Sequence, residues 1–124
     1  MTLVSIDIEA DLVRLTASAF PGYIVATEVP SGPVTERLIT FVATGAPQLN
    51  PHVDQAHINV FVFHPDPEVV HGEALKVQAF LNELRTPAIR KASASYPSRS
   101  GASSDETSPR RYMYADLRLR KEVR

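Results

Sequence analysis

Residues 110–120 read RRYMYADLRLR, and their pattern decides the fold. From Tyr112 to Arg120 the side chains alternate strictly. Met113, Ala115, Leu117 and Leu119 fall on one side, and Tyr112, Tyr114, Asp116, Arg118 and Arg120 on the other. A period of two marks a strand with one buried face and one wet face. The strand, about 111–120, comes close to the last residue, Arg124, and follows a polar stretch, residues 97–109, rich in serine. A sheet completed by the last residues, after a long polar loop, is the expected layout of an assembly part.

Upstream the pattern changes period. In residues 6–20, Ile8, Leu12, Leu15 and Ala19 recur at helical spacing. Ser5 or Asp7 can cap this helix, and Asp7, Glu9 and Asp11 sit at its positive end. Pro21-Gly22 ends it. Residues 23–29 are rich in β-branched side chains and read as a strand. Pro30 to Pro33 reads as a turn or short loop. Residues 38–44 form a second strand, whose apolar run implies burial on both faces, or one face on the core and the other on a subunit. Residues 45–53, with two prolines and a glycine, read as a loop. Residues 56–63 are the strongest internal strand: Ile58, Val60 and Val62 share one face, and His57, Asn59, Phe61 and Phe63 the other. Exposed phenylalanines are costly, so cover is expected over that second face too. Val70, Ala74, Val77, Leu81 and Leu84 give a helix over about 68–84, stopped by Thr86-Pro87. Residues 89–96 read as a weak strand rich in small side chains. The sum is an α+β two-layer sandwich, with a mostly antiparallel sheet and two helices on one face. One domain, residues 1–124, accommodates it.

Composition excludes several classes. Net charge is −1, so general affinity for nucleic acid is not expected. The last residues are locally basic, with Arg110, Arg111, Arg118, Arg120, Lys121 and Arg124 against Asp116 and Glu122. A solvated strand face is the plain reading; a docking surface for an acidic partner is the other. Cysteine is absent, which excludes disulfides, thiolate catalysis and cysteine-based zinc sites. No run approaches the ~18 apolar residues of a membrane span. The opening MTLVSIDIEADLV carries acids and no basic stretch, so no secretory leader is expected and assembly in a cytoplasm is.

Catalytic patterns are weak. His52, His57, His64 and His71 lack the short ligand spacing common in zinc sites. No nucleophile-elbow pattern surrounds the serines, and no phosphate-binding loop or dinucleotide fingerprint occurs. No cofactor, metal or catalytic residue is expected. Tyr112, Tyr114 and Arg118 share one face of the final strand. Such residues stack single-stranded bases or anchor protein interfaces, and the near-neutral charge favours the interface.

The order of these segments resembles the tail terminator proteins of long-tailed bacteriophages with non-contractile tails. The stretches that carry the likeness are IDIEADLVRLTASAFPG (6–22), YIVATEVPSGP (23–33) and RLITFVATGAP (37–47). DQAHINVFVFHPDPE (54–68), HGEALKVQAFLNELR (71–85) and RRYMYADLRLR (110–120) continue it. One departure is AIRKASASYPS (88–98), unusually rich in small residues. The resemblance implies a structural virion protein, not an enzyme. It implies a hexameric ring that caps the finished tail tube and joins it to the head connector, with DNA passing through unbound. Its partners are then further copies of itself, the tail tube protein and the head-tail connector protein, at the head-proximal end of the tail. Residues 98–109 would face the tube or a neighbouring subunit, and Asp105 and Glu106 would approach the channel, where negative charge keeps DNA from sticking. Their composition buries little apolar area, so ordering only against a partner surface is expected. Interface candidates are Phe61, Phe63, Tyr112, Tyr114, Arg118, Asp105 and Glu106. Another connector component, such as a head-closure or stopper protein, is the alternative in the same class. A small His-dependent metal hydrolase is the alternative outside it, and a generic cellular oligomeric binding module a third.

Overall fold

The computed structural model describes residues 2–45, 48–99 and 108–123. The chain starts with a short strand, β1 (Leu3–Val4), and enters helix α1 (Ile8–Ala19). Asp7 caps α1: its Oδ1 accepts the Ala10 amide at 3.1 Å, satisfying one of the unpaired amides of the first turn. The apolar stripe places Ile8 and Leu12 in the core. Past Pro21, strand β2 (Ile24–Ala26) pairs with β3 (Leu38–Ala43).

This pairing is parallel, not the hairpin that the Pro30–Pro33 turn implies. Residues 27–37 cross over the sheet instead of reversing it, and they bury Val34 against Leu38 and Phe63. Parallel strands need such a crossover, which is why β2 stops at Ala26 and not at residue 29. After Gly45, whose φ of +80° suits glycine, β4 (Gln48–Asn50) pairs with the start of β5 (Val53–Phe63). The Asn50 side chain makes that turn: its Oδ1 accepts the His52 and Val53 amides at 2.8 and 3.0 Å. Residues expected as loop are therefore strand, and β5 begins at residue 53, not 56.

Helix α2 (Val70–Glu83) starts two residues later than its periodicity implies. The cause is Asp66, whose carbonyl accepts the Val69 and Val70 amides and holds residues 67–69 in a turn. Thr86 then turns the chain into β6 (Ile89–Ala94), its hydroxyl accepting the Ala88 and Ile89 amides. The stretch of small residues is thus a true strand. β7 (Arg110–Arg120) follows, and β8 (Glu122–Val123) pairs antiparallel with β1.

Six strands form one mixed, mostly antiparallel sheet in the order β2-β3-β5-β7-β6, with β4 on the start of β5. β1 and β8 form a separate two-stranded ribbon. Both helices pack on one face, so the α+β two-layer reading holds. The core comprises Ile39 and Phe41 of β3, Ile58, Val60 and Val62 of β5, and Met113, Ala115, Leu117 and Leu119 of β7. Ile8 and Leu12 of α1 and Ala74, Val77 and Leu81 of α2 close it from above. Each large side chain fully buried here contributes about 1.5–3 kcal/mol.

An edge-to-face aromatic chain ties the helices together: Phe20 lies 6.2 Å from Tyr23 and 5.6 Å from Phe80. Burial, and then the Glu73 carboxylate, push the Tyr23 phenol up to about 12 from its ordinary 10.0. The folded chain keeps this proton where the unfolded chain releases it. The contribution to stability is thus intact below about pH 10 and falls as pH rises toward about 12. In urea titrations across that window, Tyr23→Phe is expected to lose less stability than the parent chain. Parallel curves for the two proteins would remove this assignment.

Candidate functional site

The sheet face away from the helices divides into two parts. At the β2–β3 end the chain covers itself. Phe63 is 1% exposed, packed with Val34 and Leu38, and the Arg110 guanidinium sits 5.6 Å from its ring centroid. Ser108 pins the crossover there, its buried Oγ accepting the Val34 amide at 2.7 Å. The cover expected over this face comes, at this end, from residues 27–37. Phe63 therefore leaves the set of surface candidates. No periodicity could reveal this, because the contact joins residues 74 apart in sequence.

Beyond Phe63 no described segment covers the face. Phe61 and Tyr112 are half-buried, with ring centroids 5.3 Å apart, and the Tyr112 hydroxyl donates to Asn59 Oδ1 at 2.7 Å. Tyr114 is 37% exposed and lies 5.2 Å from the His57 ring. Desolvation on the strand, then Asp116 and Tyr112 beside it, push the Tyr114 phenol up. Asp116 is held by Gln55, whose Nε2 donates to both carboxylate oxygens at 3.0 and 3.1 Å, and stands 3.7 Å from His57 Nε2. Arg118 is exposed opposite Gln55 and Lys91. The strict alternation of β7 thus brings Tyr112, Tyr114 and Arg118 onto one surface with Phe61. Asp105 and Glu106, with most of residues 98–109, lie outside the described residues. Of the ends of that segment, Ser98 bridges to Tyr112 and Ser108 is buried.

This surface also contains a row of serine, acid and histidine. Ser93 of β6 pairs with Asp116 of β7, which pairs with His57 of β5. The order is wrong for a hydrolase, which needs the histidine between nucleophile and acid. The other histidines serve local structure. His64 Nδ1 accepts the Asp66 amide at 3.0 Å, and His71 Nε2 lies 3.0 Å from the Tyr96 hydroxyl. The His52 carbonyl accepts the Lys121 amide. Among the described residues no three His, Asp or Glu side chains converge as metal ligands. No described helix is long and apolar enough to cross a membrane. What the arrangement offers is contact: aromatic rings, one amide-clamped carboxylate and exposed guanidinium groups on a rigid sheet.

Comparison with known proteins returns no matching family model and no matching curated protein.

Proposed function

We propose that the chain is a structural phage protein of the tail terminator kind. Its copies assemble into a hexameric ring that caps the tail tube, ends tube polymerisation and joins the tail to the head connector. DNA passes through the ring without specific binding.

The observation that carries this reading is the asymmetry of the sheet. One face is sealed by two helices, while the β5–β7 part of the other presents Phe61, Tyr112, Tyr114, His57 and Arg118 with no covering layer among the described residues. Aromatic and arginine side chains grouped on a rigid surface are the residues that anchor protein interfaces. The resemblance read from the sequence motivates the same reading. A hydrolase is not favoured, because Asp116 and not His57 occupies the middle of the polar row.

Negative-stain imaging of the purified protein, alone and mixed with tail tubes, tests the proposal. Closed rings on one end of the tubes are expected. Tubes that keep growing in excess protein, with bare ends, would refute it.

A further inference from the structure

Two corners of the sheet complement each other. At the β2 edge, on the face away from the helices, is a groove of about 310 Å³. Ile24, Ala26, Val34 and Leu38 line it, and Glu28 and Glu36 stand on its lip. Ile24 is 52% exposed, although it is a large aliphatic side chain. Both glutamates are exposed, and neither has an ion pair among the described residues.

At the opposite edge, past the end of β6, Tyr96 is 66% exposed. Arg99 is exposed beside it in the chain, and Arg111 is near enough to feel its charge. Burial first, and then Arg99, hold the Arg111 guanidinium below its ordinary value. Neither arginine has an ion pair among the described residues. One corner is thus an apolar groove with an acidic lip, and the other an exposed aromatic ring with crowded cations.

The two corners stand at one level of the sheet. A single cross-strand row runs from Ala26 through Thr40, Phe61 and Tyr112 to Ser98. Ala26 lines the groove, and Ser98 lies between Tyr96 and Arg99 in sequence. The backbone edge of β6 is closed to a neighbour at its Ala94 end, where α2 caps it. Asn82 Oδ1 accepts the Ala94 amide at 2.7 Å, and Gln78 Nε2 donates to the Ala94 carbonyl at 3.3 Å.

We propose that the Tyr96–Arg99 corner of one copy seats in the Ile24–Leu38 groove of the next, with Arg99 directed at Glu28 and Glu36. This contact rests on the reading of the chain as a ring subunit. It is head-to-tail, so it generates a ring if the rotation closes and a filament if it does not. Because the corners share a level, copies standing side by side need no shift along the strands. Tyr96 is turned toward the helix layer by His71, whereas the groove opens on the other face. Successive copies therefore overlap as roof tiles do.

The absence of cysteine makes the test clean. A chain carrying Thr35→Cys and Ser98→Cys together, which leaves Glu28, Glu36 and Arg99 in place, is treated with a short bismaleimide. Each single variant and a mixture of the two singles are treated in parallel. The double variant is expected to give a covalent ladder closing at the hexamer, the mixed singles a dimer, and each single alone a monomer. Adding Tyr96→Ala should weaken association about thirtyfold, the loss of an aromatic anchor worth about 2 kcal/mol, with the melting temperature unchanged. Singles that dimerise as well as their mixture would overturn the contact, as would a ladder indifferent to Tyr96→Ala. Rings seen in the microscope without a ladder would remove the contact and leave the ring. A ladder that runs past the hexamer without closing would keep the contact and remove the ring. No ladder up to the solubility limit overturns the contact.

Discussion

Replacing Phe63 by alanine is expected to lower the stability of the isolated chain by about 3–5 kcal/mol, a large part of a small domain's total. The ring lies under Val34 and beside Leu38, with the Arg110 guanidinium over it. Truncation leaves a void on the sheet face, away from the helices, that neither strand can fill. It also removes the cation–π contact, worth about 0.5–1 kcal/mol at a partly exposed cation. Urea unfolding of the monomer measures the loss. Phe61→Ala, at a half-buried position two residues away, should cost clearly less, since that ring is not fully removed from water. If Phe63→Ala unfolds with the parent while Phe61→Ala does not, the cover over Phe63 belongs to a neighbour and not to the chain itself.

That pair of residues shows where the sequence is legible and where it stops. Both phenylalanines sit on the outward side of β5 by simple alternation, and cover for them follows from the cost of wet aromatic surface. The source of the cover does not follow. Residues 30–33 carry the prolines and glycine of a turn, and a turn between two strands reads as a hairpin. The parallel pairing of Ile24–Ala26 with Leu38–Thr40 is long-range information that no local propensity contains. The same holds for Ser108 and Val34, whose hydrogen bond closes the crossover. By contrast α1, α2, β5 and β7 each follow from one clear period and β3 from its apolar run, and their layering follows in turn. Their ends shift where local hydrogen bonds intervene, as those to the Asn50 side chain do before β5 and those to the Asp66 carbonyl before α2. β4 and the β1–β8 ribbon escape notice because strands of two or three residues have no period to read.

The candidate surface was legible to the same extent. Tyr112, Tyr114 and Arg118 share a face because strict alternation allows nothing else. The clamp of Gln55 on Asp116 needed the β5–β7 register, which aligns Gln55 with Arg118 and His57 with Asp116. The acidic groove needed the crossover, so no spacing along the chain could have marked Glu28 and Glu36 as one feature.

The sharpest division of labour falls within β7. Leu117 is 1% exposed and stands in a cross-strand row between Ala56 and Ala92. It is the only bulky side chain of those three, and α2 packs on the same layer. Leu117→Ala would turn the row into three alanines. Small neighbours cannot swing into the space, so the cavity stays open and the cost is expected at about 2–5 kcal/mol, read as a melting temperature lower by roughly 10 °C or more. Tyr114 and Arg118, three residues before and one after, point the other way. The strand pairing of Tyr114 uses its backbone, whose amide donates to Ser95 Oγ and whose carbonyl accepts the Ser95 amide. Truncating its side chain therefore leaves the sheet intact, and exposed positions usually cost within ±0.5 kcal/mol or so. Tyr114→Ala with Arg118→Ala should melt near the parent chain yet fail to form rings on tail tubes. A Leu117→Ala protein that melts with the parent would mean that the buried and open faces of β7 have been exchanged. A Tyr114→Ala, Arg118→Ala protein that caps tubes at the parent's yield would mean that the open face is solvent-facing surface and the ring is built elsewhere.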